Sequence, residues 1–358
     1  MSLRRLLLPT RALQLRPLLL LPRSTTTTTR RTLHTTSPHL LRKSNKEDNN
    51  PPEPGKFART DPSIRTAYPE DESQLPRSTL ATSPSPATAV PTLPSFSLQG
   101  KVCVVTGGAR GLGLVMGQGI VLSGADLAIV DLDQKEASLQ ASEILNSFAK
   151  AHPNARKPKI TTHHCDVSSP PSVKSCVAEI LNAHNNKIDG LVTSAGIVEN
   201  VDAVDYGFDR VKRLWGVNVD GTWLFATEVG RHLLQRKAKG SMVFIGSMSG
   251  SIVNVPQPQA PYNASKAAVR HLAASLSVEW ARDGIRVNCV SPGYMLTALT
   301  KKILDGKPDL KQQWTSLIPQ GRMGNPEDLM GPVTFLLSDA SSYVTGADLR
   351  VDGGYTLT

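Results

Sequence analysis

From Ser97 onward the sequence predicts an α/β fold, a doubly wound parallel sheet of about seven strands with helices on both faces. Three observations point there. Short apolar runs alternate with stretches of helical period along some 260 residues. The runs are continuously apolar, as strands buried on both faces must be, rather than apolar at every second position. The first run ends in a cluster of glycines directly ahead of a helical segment.

The strands follow in order. "KVCVVTGG" (101–108) is the first, "ADLAIVDLD" (125–133) the second, "KITTHHCDV" (159–167) the third and "IDGLVTSAG" (188–196) the fourth. "GSMVFIGS" (240–247), "IRVNCVSPG" (285–293) and "TGADLRVDGG" (345–354) complete the set. Helical patterns cover 111–123, 134–150 and 171–184. Another lies in "APYNASKAAVRHLAASLSVEW", where Val269, Leu272, Leu276 and Trp280 recur at three- and four-residue steps. No repeat of solenoid period is present, so one domain over 96–358 accounts for this part of the chain.

The first quarter is different. Residues 1–95 hold 14 Lys/Arg against 7 Asp/Glu, whereas 96–358 hold 26 against 23. Most of the net +10 therefore belongs to the leader, and a near-neutral body argues against nucleic-acid binding. The leader has no acidic residue before Glu47, and Arg11, Arg16 and Pro17 interrupt its apolar stretches. Basic, hydroxylated and acid-free is the composition of a mitochondrial transit peptide, which places the protein in the matrix. No stretch is long enough to cross a bilayer. "RTLHTTSP" (Arg31 to Pro38) resembles the context that precedes matrix processing sites, so the transit peptide is expected over 1–37. Residues 38–95, with eleven prolines up to Ser95 and few large apolar residues, are expected to be a disordered linker. Cys103, Cys165, Cys176 and Cys289 show no metal-like spacing and read as reduced core residues. The eight histidines are scattered, so no metal site is expected.

The turn after the first strand is "VTGGARGLG". Gly107, Gly111 and Gly113 bring the backbone close to a pyrophosphate, and the next helix offers free N–H groups and a positive dipole end. This is a Rossmann-like arrangement for NAD or NADP. Asp131, at the end of the second strand, can accept both hydroxyls of an adenosine ribose and would repel a 2′-phosphate, which favours NAD. Arg110 in the glycine turn pulls the other way, since a cation there can help to hold that phosphate.

Tyr262 and Lys266 stand four apart, on one face of the expected helix. With Thr106-Gly107-x-x-x-Gly111-x-Gly113 at the start and Tyr262-x-x-x-Lys266 about 150 residues later, the chain resembles the short-chain dehydrogenase/reductase family over roughly 97–358. The resemblance implies a catalytic set of Asn218, Ser247, Tyr262 and Lys266. It implies cofactor contacts from Thr106, Gly107, Arg110, Gly111, Leu112, Gly113 and Asp131. Asp166 and Val167 would sit at the adenine, and Ser194, Ala195 and Gly196 beside the ribose. Pro292, Gly293, Met295 and Thr297 would hold the nicotinamide carboxamide, and Tyr262 and Lys266 also reach the cofactor. Two departures stand out. Ser194 replaces the usual Asn, so that turn's usual hydrogen bonding is not implied. Ser247 precedes Tyr262 by 15 positions, slightly more than usual, which resembles the polyol branch of mannitol, arabinitol and sorbose/xylulose enzymes.

The residue types suit hydride transfer to and from a secondary alcohol. The cofactor supplies the hydride chemistry and the protein a proton path. A phenol of ordinary pKa near 10 must be brought down by about 2–3 to work as a base, which costs about 3–4 kcal/mol. One ammonium about 4 Å away offers about 4 kcal/mol before desolvation opposes it. Lys266 is expected to be that ammonium. Ser247 is expected to hold the substrate oxygen, with Ser249 as the alternative, and Asn218 to order a water leading from Lys266 to solvent.

Specificity is expected from Tyr294 to Gln320 and from the insertion before Tyr262, where Asn254, Gln257 and Gln259 could meet polyol hydroxyls and Trp314 could close over the site. The substrate expected from the resemblance is a pentitol, hexitol or ketose. A 3-oxoacyl-carrier-protein reductase, docking its acidic carrier on "RVKRLW" (210–215), is a second reading, and a non-catalytic nucleotide-binding scaffold a third. Family members form dimers or tetramers, and Ala264, Ala267, Ala268 and Ala274 would allow close helix packing between subunits.

Overall fold

All seven apolar runs form strands: β1 (Val102–Thr106), β2 (Asp126–Asp131), β3 (Ile160–His164), β4 (Gly190–Thr193), β5 (Gly240–Ile245), β6 (Ile285–Pro292) and β7 (Asp348–Val351). They pair in the order β3-β2-β1-β4-β5-β6-β7, every pair parallel. This is a computed structural model describing residues 92–297, Thr300 and 308–357. The transit peptide expected over 1–37 and nearly all of the linker expected over 38–95 lie outside the described residues.

Successive residues of each strand enter opposite cores, the geometric consequence of the two-residue pleat. Val104, Ala128, Leu191, Met242, Phe244 and Val287 face one side. There α3 (Pro170–Ala183), α5 (Gly221–Gln235) and α6 (Ala260–Trp280) cover them with Ile180, Phe225, Val229 and Leu276. Cys103, Val105, Leu127, Ile129, Val192 and Val243 face the other. There α1 (Gly111–Leu122), α2 (Gln134–Ala151) and α8 (Met330–Leu337) cover them with Met116, Ile120, Ile144 and Leu336. Among the described residues two further short helices are α4 (Phe208–Trp215) and α7 (Pro308–Ser316). The four cysteines are buried and free, as the sequence predicts.

Strand order reverses between β1 and β4, which leaves a crevice beyond the carboxyl ends of these two strands, where open α/β sheets bind ligands. α4 runs into α5 through one π-helical turn, Gly216–Asp220, which carries Asn218. Such turns inside helices recur at functional sites. Among the described residues no helix is long and apolar enough to cross a membrane.

Candidate active site

The glycine turn is built from backbone. Gly107 has φ +64°, and a Cβ there would stand 2.8 Å from the Ala195 backbone. A Cβ at Gly113 would run into the Gly107 carbonyl oxygen, so α1 can pack onto the turn only without one. No side chain caps α1, which leaves its first N–H groups and dipole open to an anion. Asp131 ties the second strand to this turn: Oδ2 accepts from Ala109 N at 3.0 Å and Oδ1 from Asp133 N at 3.1 Å. Arg110 pairs with Asp133, Nη2 to Oδ2 3.2 Å, both exposed. The open helix end beside an acceptor at the end of β2 fits a dinucleotide.

The Ser194 departure is answered by backbone. Ser194 N and Ala195 N both donate to Thr106 Oγ1, at 3.1 and 3.2 Å. The Thr106 hydroxyl is buried and serves as a strut between β1 and β4, and no Asn at 194 is needed for it. Asp166 Oδ1 accepts from Ser168 N and Ser168 Oγ, while Val167 packs under Gly221 of α5. Leu112 is half-buried against the core of the α1 face. On β6, Pro292 ends the strand and Gly293 lies too close to Asp352 for any Cβ. Met295 is buried and bridges to Gly324, and Thr297 is folded onto Thr300.

Tyr262 and Lys266 lie one turn apart on α6, and Ser247 ends the approach from β5. Lys266 as a whole is 7% exposed. It donates to Ile245 O at 2.8 Å and sits 5.7 Å from the Tyr262 ring centroid. Exposed Gly196 lies over it: a Cβ there would be 3.6 Å from Nζ and 3.3 Å from Asn218 Oδ1. α6 thus reaches the glycine turn through 194–196.

The electrostatics differ from the expectation. Burial raises the Tyr262 phenol above the ordinary tyrosine value, and a hydrogen bond with Ser247 is what opposes it. The Lys266 ammonium turns to Ile245 O beside the ring. Burial pushes Lys266 itself down to about 8.

Asn218 joins two elements. Its Oδ1 accepts from Ile197 N at 2.9 Å, and its Nδ2 donates to Ile197 O and Ser265 Oγ, both at 3.0 Å. Both its amide hydrogens are spent, so the side chain ties the loop after β4 to α6.

The segment between Ser247 and Tyr262 is a buried polar network. Gln259 Nε2 lies 2.9 Å from Asn254 Oδ1, 2.9 Å from Asn263 Oδ1 and 3.4 Å from Ser249 Oγ. Asn254 Nδ2 donates to Tyr294 Oη at 3.2 Å, and that hydroxyl donates to Gln257 Oε1 at 3.1 Å. Asn254 and Gln259 are buried and turned on each other, so of the three amides expected to read polyol hydroxyls only Gln257 is half-exposed. Trp314 is no lid: it is buried, stacked on Tyr294 with centroids 4.2 Å apart. Residues 298–299 and 301–307 of the expected specificity segment lie outside the described residues. Sequence reasoning missed Gln259 as a junction and Tyr294 as a hydroxyl bridge, since no spacing rule marks either.

A dinucleotide cradle at the switch point, with a phenol, a serine and a buried lysine beside it, defines a nicotinamide-dependent oxidoreductase. The sequence model of a family described as enoyl-(acyl carrier protein) reductase matches residues 107–356. The chain is 39% identical over 268 residues to a D-arabinitol 2-dehydrogenase (ribulose-forming) of Candida tropicalis, covering 74% of this chain and 95% of that protein. An NADH-dependent L-xylulose reductase of Ambrosiozyma monospora is 38% identical over 266 residues, covering 74% and 98%. A gluconate 5-dehydrogenase from Burkholderia cenocepacia J2315, solved in complex with NADP and tartrate, superposes with TM-score 0.67 at 31% identity, covering 74% and 98%. The chain belongs to the short-chain dehydrogenase/reductase family. It is an NAD(P)-dependent alcohol dehydrogenase/ketone reductase.

Proposed function

We propose that the protein interconverts a secondary alcohol of a sugar alcohol and the matching ketose, in the manner of arabinitol/ribulose or xylulose enzymes. The observation that carries this is the meeting of Ser247, Tyr262 and Lys266, with half-exposed Gln257, held by Tyr294, in the segment between Ser247 and Tyr262. The identity with two pentitol/pentulose enzymes across almost their whole lengths supports it. Bound nicotinamide supplies or accepts the hydride. Ser247 holds the substrate oxygen, and Tyr262 gives it a proton in ketose reduction and takes one in alcohol oxidation. Lys266 lies below Gly196, placed to donate to the ribose hydroxyls. A phenol raised by burial is protonated at neutral pH, so the protein is ready for reduction, and oxidation rises toward alkaline pH.

NAD is the favoured cofactor. Asp131 stands ready for the ribose hydroxyls, while Arg110, the cation that would favour a 2′-phosphate, is already paired with Asp133. An acyl-carrier docking role for 210–215 is weakened by pairing too: Arg210 meets Glu199 and Lys212 meets Asp209. The leader composition supports import into the mitochondrial matrix. Exposed Ala264 and Ala268, one turn apart on α6, offer a flat face for dimer or tetramer formation.

The test is a panel of D-arabinitol, xylitol and D-mannitol with NAD and NADP, and of D-ribulose, L-xylulose and L-sorbose with the reduced cofactors. Turnover of a pentitol–pentulose or hexitol–ketose pair is expected, with NAD preferred; turnover of acyl thioesters alone overturns the reading. Fractionation that finds the intact chain in the cytosol overturns the localisation, and a monomer in sedimentation overturns the assembly.

A further inference from the structure

Fifteen residues separate Ser247 from Tyr262, and the relative placement of the two side chains decides whether they share a proton. Nothing covalent nearby fixes that placement. One side chain touches all three segments involved. Gln259 precedes α6, and its carbonyl accepts from Asn263 N at 3.1 Å. Its Nε2 reaches Asn263 on the helix that carries Tyr262, Asn254 in the intervening loop, and Ser249 in the turn that carries Ser247. Ser249 grips Ser247 twice: its N donates to Ser247 Oγ at 3.1 Å, and Ser247 Oγ donates to Ser249 Oγ at 3.0 Å.

The orientation of the Gln259 amide follows from its neighbours. Asn254 uses Nδ2 on Tyr294, so Oδ1 is the atom it turns to Gln259, which must answer with N–H. Gln259, Ser249 and Asn254 are all buried, so no solvent replaces a lost bond. Two N–H groups serve three acceptors, and Ser249, at the longest distance, shares one of them.

We propose that Gln259 is a positioning residue, a buried carboxamide clamp that sets where Ser247 stands against Tyr262 by tying the serine turn to the helix that carries Tyr262. This rests on the reading of Ser247 and Tyr262 given above. The amide touches neither phenol nor substrate, and its effect runs through Ser249 and Ser247.

The test is a titration of the Tyr262 phenol by ultraviolet absorbance, taken as the difference from Tyr262→Phe in the same background. It uses the full chain as wild type, Gln259→Met, Ser247→Ala and the double variant. Gln259→Met is expected to shift the midpoint by about half a pH unit or more, and to do nothing further once Ser247 is gone. On the polyol turned over fastest in the panel, it lowers kcat by about tenfold with KM held within about twofold. An unchanged midpoint, or shifts that add in the double variant, overturns the proposal. Should Gln259→Met not fold, Ser249→Ala, which leaves the Asn254 and Asn263 bonds intact, must shift the midpoint, and an unmoved one is equally fatal. The titration needs no substrate, so a wrong substrate class leaves its result readable.

Discussion

The turn between β1 and α1 and the turn between β5 and α6 both follow buried strands, yet they are made of different atoms. The first is backbone: glycines, open N–H groups, and a carboxylate holding Ala109 N. The second is side chain: Ser247, Ser249, Gln259, Asn254 and Tyr294 joined through hydroxyls and amides. A backbone site tolerates change wherever no Cβ intrudes and fails abruptly where one does. A buried side-chain network fails by degrees, one unsatisfied group at a time.

The largest effect belongs to the backbone turn. Gly113→Ala drives a methyl into the Gly107 carbonyl, and a loss on the order of 3 kcal/mol or more is expected, with cofactor affinity lost too. Thermal melts and calorimetric cofactor titration check both. On α6, beside the side-chain turn, Lys266→Met should do the reverse to stability. The unfolded lysine holds its proton up to about 10.5 and the folded one only to about 8, so burying the charge destabilises the fold below pH 8. That penalty is worth about 3 kcal/mol, less about 1 kcal/mol for the bond to Ile245 O. A gain of about 2 kcal/mol is expected at pH 7, shrinking between pH 8 and 10.5 and absent above, read from melts across pH. Turnover should fall sharply in the same variant, since functional sites trade stability for chemistry.

A smaller change is expected at Asp131→Ser. Removing the carboxylate that repels a 2′-phosphate should move the ratio of kcat/KM for NADP over NAD upward by about tenfold. The smallest is Tyr294→Phe. It keeps the stack on Trp314 and deletes the bridge between Asn254 and Gln257, which should cost about 1 kcal/mol of stability and raise KM for the polyol a few-fold.

The same contrast explains what the sequence could tell. Strands buried on both faces announce themselves as unbroken apolar runs, so Val102–Thr106 is legible in the chain itself. Gly107 and Gly113 are legible because only glycine fits where they stand. Tyr262 and Lys266 are legible by their spacing. Their electrostatics are not, because a four-residue step fixes a shared helix face but not which way a long ammonium points, and it points to Ile245 O. Nor does the polar text "NVPQPQAP" distinguish an amide that faces solvent from one that faces another amide. Asn254 and Gln259 proved to be the second kind.

The whole account turns on one phenolic oxygen as the group that passes the proton. Tyr262→Phe removes that oxygen while leaving the ring, the helix and the glycine turn in place. The measurement is kcat for the best polyol alongside cofactor affinity by fluorescence titration. The predicted result is turnover reduced by at least about a thousandfold with cofactor affinity within about twofold. Turnover within about tenfold of wild type would contradict it.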